Sequence, residues 1–420
     1  MYRQVPLRFH DPDSHEGIDI EHLVLGYNIG PTGSSQDRFR DRLLAKPTLD
    51  LGEYRFGAVY DWIEVFIDTG KHRAAGQHHN RLKKLAEAYG GFSGLTVYDK
   101  RRRLGVSGQQ IVVRLFDPEP SGLRLALLSF LRDHCAPSTK LSSVVVTGLE
   151  LSLDVYPNLG GPIPAINYAT RRMLMNELLV KHCIVNEAFA GKSRMPRFHF
   201  MRDGRGTTPK LVGKPRGKLA TKLALEARDR QMSVEELSAR IPKLHSQPFS
   251  DATWYFGAQD ERLMYRCMNK LIDKQDGRTH TTLPIEQTRA RIEVALMDET
   301  PLDRVGPHQA GIGMISDLAD RPLQKFNQFF QFAFPTFAPS KDDPSLPDAE
   351  EWAIFAKTGV AGLQMKQDAD DLYWERRKAL RARKRGDVLS SHKAMKFSKL
   401  NDKVAKAIRR LDERWERDWE

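Results

Sequence analysis

The sequence predicts an α+β fold, with a mostly antiparallel central sheet flanked by helices and a helical C-terminal extension. Segments that alternate apolar and polar residues, as half-buried strands do, recur through the first 300 residues. Up to residue 157 they follow the order strand, helix, strand, strand, helix, strand, which is typical of helices packed on an antiparallel sheet. The segment 349–420, in contrast, is highly charged, with narrow apolar stripes and no proline.

The first predicted elements lie between residues 58 and 157. The run AVYDWIEVFIDTG alternates only in part and is predicted as a half-buried strand. In HHNRLKKLAEAYGG, Leu82, Leu85 and Ala88 share one helix face, and Gly90 gives a C-terminal stop signal. Strands are predicted at 58–70, 93–99, 109–118 and 140–157, and helices at 78–90 and 121–135.

A second strand-rich stretch follows a long predicted helix that begins near Pro164. In MSVEELSARI, which lies outside the residues that the structure describes, Ser233 is predicted to be a helix N-cap, with Glu236 completing a capping box. The predicted strands of this stretch lie at 195–203, within 253–270 and at 285–297. RPLQKFNQFFQFAF, at 321–334, is predicted to begin a helical region.

The same reading predicts how the chain divides. Residues 1–52 are polar and rich in Gly, Pro and Asp, and are predicted to form an extended arm with one strand. The predicted units are the arm at 1–52, an α+β domain at 53–300, a helical segment at 301–334, a Pro-rich linker at 335–348 and a charged helical region at 349–420. The last region either packs through its Leu and Trp stripe or contacts DNA or a partner, and Trp415 and Trp419 are expected to be exposed.

The composition favours a polyanionic partner. The 420 residues include 66 Lys and Arg against 54 Asp and Glu, a formal net charge of +12, and the isoelectric point is near 9.5. This balance places nucleic acid ahead of an anionic membrane surface. The three cysteines form no CxxC pair, so neither a thiolate zinc site nor a disulfide framework is expected.

Several locations and chemistries lack support in the sequence. The first residues, MYRQVPLRFHDPDSHEGID, are too polar for a signal peptide, and no apolar run approaches the roughly 18 residues of a membrane helix. A cytoplasmic protein without membrane contact is therefore expected. GxxxxGK(S/T), HExxH and a strand-placed GxGxxG are absent, so ATP, zinc-protease and dinucleotide sites are not indicated.

Carboxylates occupy one face of the predicted strand GLELSLDVY. The strand period of two places Glu150, Ser152 and Asp154 on one face and leucines on the other. In TRARIEVAL, Arg289, Arg291 and Glu293 alternate with apolar residues in the same way. Such faces suit a Mg²⁺ or Mn²⁺ site with arginines for a phosphate, but an ordinary sheet with one wet side has the same pattern.

Taken in order, three motifs resemble the replication initiators of rolling-circle plasmids and filamentous phages, grouped with some conjugative relaxases as the Rep_trans type. GLELSLDVY is similar to the family's acidic strand, and TRARIEVAL to its Arg-x-Glu strand. Between them, TWYFGAQDERLMYRCMNK is similar to a pattern Tyr-x-Gly-Ser-Arg, a turn, then Arg-x-Tyr-x-Lys. The resemblance spans about residues 60–296 and implies a rolling-circle initiator-like fold.

The resemblance implies an origin-nicking endonuclease in which a tyrosine attacks DNA, forms a 5′-phosphotyrosine and frees a 3′-hydroxyl, with Mg²⁺ or Mn²⁺ as cofactor. The residues that match the family's motifs are Arg266, Lys270, Arg291, Glu293, Glu150 and Asp154. The motif's tyrosine position holds Met268, and Ala258 and Gln259 replace its Ser-Arg. Either Tyr265 or Tyr255 has taken over the role, or nicking has been lost.

Three basic runs are candidate DNA contacts: Lys100, Arg101, Arg102 and Arg103; Lys210, Lys214, Arg216 and Lys218; and Arg381, Arg383, Lys384 and Arg385. The expected partners are origin, hairpin or single-stranded DNA, a helicase or other replication protein, and a second copy in a homodimer. Two alternatives to a nicking initiator stay open. One is a non-catalytic DNA-binding protein of the same fold, and the other is a structural or assembly protein that acts through its helical C-terminal region.

Overall fold

Two antiparallel sheets share a long central helix in the computed structural model of this protein. The structure describes residues 1–9, 18–98, 109–158, 164–185, 198–201, 249–256, 262–274, 280–298, 306–320, 323–375 and 393–419. Within these ranges, no helix has the length and apolar character needed to cross a membrane.

The strands are β1 (Tyr2–Pro6), β2 (Val24–Pro31), β3 (Leu43–Pro47), β4 (Tyr54–Asp68), β5 (Gly94–Tyr98), β6 (Gln110–Phe116), β7 (Val145–Pro157), β8 (Cys183–Ile184), β9 (Phe198–Met201), β10 (Thr253–Phe256), β11 (Leu263–Lys270), β12 (Ile272–Lys274), β13 (His280–Thr282), β14 (Arg289–Met297), β15 (Gln331–Phe337) and β16 (Ala394–Lys396). The helices are α1 (Ala75–Tyr89), α2 (Pro120–His134), α3 (Ala165–His182), α4 (Asp317–Asp320), α5 (Ala349–Glu375) and α6 (Ser398–Trp419). Helix α5 is interrupted at Gly359, whose φ is 71°.

The large sheet has the strand order β5-β6-β4-β7-β14-β11-β10-β9, and every neighbouring pair is antiparallel. One face of this sheet is apolar, with Leu149, Leu151 and Leu153 from its central strand. Helices α1, α2, α3 and α6 contribute side chains to the same core and cover that face. The predicted α+β class, with a mostly antiparallel sheet and a C-terminal helix, is confirmed. The division into domains stays a prediction.

The second sheet corrects two expectations. Strands β1, β2 and β3 pair with β15 and β16, so residues 1–52 form three paired strands rather than an extended arm with one. Their apolar residues, such as Leu25 and Tyr27, are buried in the core. The sequence QFAFPTF, predicted partly as helix and partly as linker, is strand β15, because its closely spaced aromatic residues pack well on a pleated surface.

Helix α6 overturns the expectation that Trp415 and Trp419 are exposed. Its apolar residues recur at helical spacing and bury one side of the helix against the large sheet. Trp415 is fully buried and packs edge-on against Tyr60, with ring centroids 5.0 Å apart. The two tryptophans stack with centroids 5.9 Å apart. They therefore belong to the protein's own core.

Acid is expected to destabilise the junction between the two sheets through His182, the last residue of α3. Its Nδ1 lies 2.7 Å from the Ala333 carbonyl oxygen and its Nε2 lies 3.2 Å from the Tyr27 hydroxyl. Burial lowers the pKa of His182 from 6.5 to about 4. Between these values the unfolded chain binds a proton that the folded protein rejects, so stability present above pH 6.5 is lost as the pH falls towards 4. The loss approaches about 3 kcal/mol.

Urea unfolding at pH 7 and pH 4.5 measures this loss. The variant His182→Asn keeps a donor near the Nδ1 position but cannot be protonated, so it should start less stable and lose less on acidification. An unchanged pH dependence in this variant would show that His182 is not the group responsible.

Candidate functional site

The face of the large sheet opposite its apolar face carries acidic and basic side chains. Directly opposed residues on neighbouring antiparallel strands share a face. Ser152 of β7 is opposite Glu293 of β14, Asp154 is opposite Arg291, and Glu150 is opposite Ala295. Glu150, Asp154 and Glu293 are thus on one face, and all three are buried.

Asp61 joins this face, although the sequence reading did not single it out. It is the extra residue in a β-bulge of β4, where the pairing with β7 shifts between Tyr60 and Trp62. The bulge leaves two residues, Asp61 and Trp62, between the core-facing Tyr60 and Ile63, and Trp62 rather than Asp61 is directly opposite Glu150. One oxygen each from Asp61, Glu150 and Glu293 lie within 4.8 Å of one another. We call these three residues the carboxylate cluster.

Asp154, a predicted metal ligand, is not a member of the cluster. Arg291 holds both of its oxygens, with Nε 2.5 Å from Oδ1 and a terminal nitrogen 2.8 Å from Oδ2. Arg289 forms a further ion pair with it at 3.0 Å. These two arginines satisfy Asp154, which therefore orients Arg291 instead of presenting a free carboxylate to a metal.

Two arginines contact the cluster in different ways. Arg291 reaches Asp61 at 2.7 Å and Glu293 at 3.4 Å, and its side chain is only 4% exposed. Arg266 bridges Glu293 and Glu150, the latter at 3.2 Å, and is 25% exposed. Arg291 is thus an interior part of the network. Arg266 is the arginine that a ligand at the surface can reach.

The electrostatics of the cluster indicate that it holds a proton near neutral pH. Burial and the neighbouring Glu293 carboxylate raise the pKa of Glu150 to about 8. Burial also raises the pKa of Glu293. Burial opposes ionisation of Asp61 as well, but the positive charges of Arg291, Lys270 and Arg266 together outweigh it and lower the pKa of Asp61. Three carboxyl groups so close together do not all ionise, even beside two arginines, so one of them keeps its proton.

The cluster fits a hard divalent cation. Its donors are carboxylate oxygens, which Mg²⁺ and Mn²⁺ prefer, and they lie close enough to share one ion. Because Glu150 holds a proton near neutral pH, a cation could replace that proton without adding net charge to the cluster beyond its own second charge. Arg266, with its partly exposed side chain, is the group able to move aside for the ion.

Metal affinity at the cluster is expected to depend strongly on pH. A cation that uses Glu150 must displace its proton, so Mn²⁺ binding should tighten by about tenfold per pH unit below pH 8 and level off above it. Calorimetric titration with Mn²⁺ at pH 6, 7 and 8.5 measures this change. Glu150→Gln should remove the pH dependence and weaken binding. Glu64→Gln is the matched control, because Glu64 is also buried but pairs with Arg114, at 2.8 Å. Equal binding by both variants would contradict the assignment.

The two candidate tyrosines lie on opposite faces. Tyr265 is opposite Val294 and is fully buried in the apolar core, so it is not on the face of the carboxylate cluster. Tyr255 is opposite Arg266 on the neighbouring strand and is half-buried, so its side chain lies on the face of the carboxylate cluster. Burial raises the pKa of Tyr255, and the charge of Arg266 opposes the rise. Of the two candidates, Tyr255 is therefore the one on the face of the carboxylate cluster.

The remaining predicted site residues are placed differently. Met268 is opposite Arg291 and so faces the same side as the cluster. Lys270 is opposite Arg289 and pairs with Asp273 at 3.7 Å. The candidate DNA contacts Lys100, Arg101, Arg102, Arg103, Lys210, Lys214, Arg216, Lys218, Arg381, Arg383, Lys384 and Arg385 lie outside the described residues.

No protein-family model matches the chain, and no curated protein does. Among solved structures, the chain is similar to one described as a rolling circle replication initiator protein from Geobacillus stearothermophilus. The identity is 18%, the match covers 72% of this chain and 95% of that chain, and the TM-score is 0.28. Likeness at this level assigns no residue a role.

Proposed function

We propose that this protein is a metal-dependent DNA-nicking and strand-transfer enzyme that initiates rolling-circle replication, with Tyr255 as its nucleophile. One observation carries the proposal: Tyr255, Arg266 and the carboxylate cluster occupy neighbouring positions on one sheet face. A nucleophile, a cation for phosphate and a set of hard metal ligands are the parts that such a reaction needs. The net charge of +12 suits DNA as the partner.

The proposed reaction exchanges one phosphodiester for another. The Tyr255 oxygen attacks the scissile phosphorus, its proton passes to a nearby base, and a 5′-phosphotyrosine bond forms. The bond from phosphorus to the 3′ oxygen breaks, and that oxygen takes up a proton to become a free 3′-hydroxyl. Because a phosphodiester replaces a phosphodiester, the step needs no external energy source. The free 3′-hydroxyl then primes synthesis, and a helicase would follow the nick.

The residues around Tyr255 have separate roles in this proposal. Arg266 is opposite Tyr255 on the neighbouring strand and is partly exposed, so it is placed to bind the phosphate and to stabilise its growing negative charge. Glu150, Glu293 and Asp61 would hold a Mg²⁺ or Mn²⁺ ion that polarises the phosphate when bound. Arg291 positions Asp61 and Glu293 from the interior.

The test is cleavage of supercoiled DNA that carries the gene and its flanking sequences. With Mn²⁺, nicked circles and a protein–DNA adduct should appear, and mass spectrometry after protease digestion should find the nucleotide on the peptide that contains Tyr255. EDTA should stop the reaction. Absence of both nicks and adducts on this DNA and on single-stranded oligonucleotides would overturn the proposal.

A non-catalytic DNA-binding protein of the same fold is the second candidate. Met268 favours it, since this residue stands at the motif's tyrosine position and faces the side of the cluster. Arg266 and Arg291 also neutralise the cluster in the way a purely structural ion network would. The variant Met268→Tyr separates the two candidates. If only this variant cleaves DNA, the fold has kept its site and lost its nucleophile.

A further inference from the structure

Helix α6 presents a row of positive charges on its exposed side. At 100° per residue, five basic side chains of this helix fall within about 60° of arc. We call them the basic stripe: Lys399, Lys403, Lys406, Arg410 and Arg417. With a rise of 1.5 Å per residue, the stripe extends over about 27 Å.

Two charges of the stripe have contacts within the protein: the Lys403 ammonium lies over the Phe56 ring, and Arg417 pairs with Asp418 at 2.7 Å. The other three are free for a partner. Lys399, Lys406 and Arg410 are exposed, and none of them forms an ion pair with another described residue. From 398 to 410 the helix has five basic residues and one acidic residue, and the other acidic residues of α6 follow from 412 onward. The positive end of the helix dipole adds to the charge at the same end.

The basic stripe is remote from the nicking site. The opposite side of α6 packs on the apolar face of the large sheet, where Trp415 meets Tyr60 of β4. The carboxylate cluster is on the other face of that sheet. The stripe therefore constitutes a second surface and cannot be an edge of the first.

The structure favours one class of partner for this surface. A helix that binds a lipid surface inserts its apolar side, but the apolar side of α6 is buried in the core through residues such as Leu400, Ile408 and Trp415. A straight, rigid row of cations suits a straight and rigid polyanion. Duplex DNA is such a polyanion, with a negative charge for every 1.7 Å or so of its axis.

We propose that the basic stripe of α6 binds the phosphate backbone of duplex DNA, on the side of the protein opposite the carboxylate cluster. The choice of DNA rests on the proposed function, whereas the existence of a polyanion surface does not. Contacts of this kind are independent of sequence, so the stripe would hold the duplex next to the nicked region without reading it.

The test uses the full chain with Lys399→Gln, Lys406→Gln and Arg410→Gln combined. Glutamine keeps helix propensity and removes charge. Binding to a random 30-base-pair duplex is followed by fluorescence anisotropy between 50 and 200 mM salt. The slope of log K against log salt should fall by about 2.7, or about 0.9 for each lost phosphate contact. The matched control combines Lys83→Gln, Lys84→Gln and Lys341→Gln, at exposed positions outside α6, and should keep the wild-type slope.

Three outcomes decide between the explanations. A wild-type slope in the stripe variant, with an intact circular dichroism spectrum, would overturn the proposal. So would a stripe-dependent affinity for vesicles containing 30% phosphatidylserine without any affinity for the duplex, because it would assign the stripe to membranes. If the wild-type protein binds duplex through the stripe but never nicks DNA, the inference stands and the proposed function fails.

Discussion

Replacing Tyr255 by phenylalanine is expected to abolish the covalent DNA adduct and to reduce nicking by about 10⁴-fold or more. Loss of an active-site nucleophile has effects of this order in hydrolases, because the remaining groups can only bind and polarise the substrate. The ring of Tyr255 keeps its position opposite Arg266 in the variant, and only its hydroxyl is removed. The measurement is the fraction of nicked circles and of adduct, at equal protein folding judged by circular dichroism.

The chain supplies two matched controls for this prediction. Tyr156 is half-buried on the same sheet face, where its hydroxyl is 3.5 Å from Asp154. Tyr265 is the buried tyrosine on the opposite face. Phenylalanine at either position should leave nicking within a few-fold of wild type. Normal nicking by Tyr255→Phe would show that Tyr255 is not the nucleophile. Loss of nicking in Tyr265→Phe alone would assign the nucleophile to Tyr265 of β11, against its burial on the opposite face.

The strand pattern of the sequence was sufficient to predict the main sheet and much of the candidate site. In β7 and β14 the period of two is unbroken from Leu149 to Asp154 and from Arg289 to Glu293, so the face of each residue follows from its position. The helix end at Gly90 was also predictable, because the left-handed φ of 67° found there favours glycine. Strand alternation and the preference for glycine at a helix end depend only on neighbouring residues, so both can be predicted from a single sequence.

Asp61 was not predicted as a site residue, although the strand period around it contains a signal. In β4 the core-facing residues are Phe56 and Tyr60 before the bulge and Ile63 and Val65 after it. The spacing of three between Tyr60 and Ile63 breaks the period of two, as one inserted residue must. A search for such phase shifts would have predicted the bulge and placed Asp61 near the acidic strands.

Other features depend on contacts that a single sequence does not encode locally. Strand β3 pairs with β15 across almost 300 residues, and this long-range pairing joins the N-terminal strands β1, β2 and β3 to β15 and β16 in one sheet. The difference in solvent exposure between Arg266 and Arg291 also depends on long-range contacts. Both are arginines in alternating strands, but one is 25% exposed and the other 4%. The three-dimensional surroundings of the two residues set this difference. It makes Arg266 accessible to a ligand and Arg291 part of the interior.

Replacing Arg291 by leucine is therefore expected to destabilise the protein by about 3–5 kcal/mol. The variant removes the cation that contacts Asp61, and it leaves the buried carboxylates of Asp154 and Glu293 with one cation fewer each. Breaking one side of a buried ion network costs this much because the remaining charges stay desolvated. Urea unfolding monitored by tryptophan fluorescence measures the change in free energy.

Two further variants separate an electrostatic cause from a loss of packing. Arg289→Leu removes the more exposed of the two arginines on Asp154 and should cost much less, because Arg291 still holds that carboxylate. The double variant Arg291→Leu with Asp154→Leu should recover part of the lost stability, since it removes one stranded charge and fills its space. If the double variant is as unstable as the two single losses added together, the two residues do not act as a pair. Arg291 would then stabilise the sheet by its bulk alone, and the carboxylate cluster would need another source of positive charge.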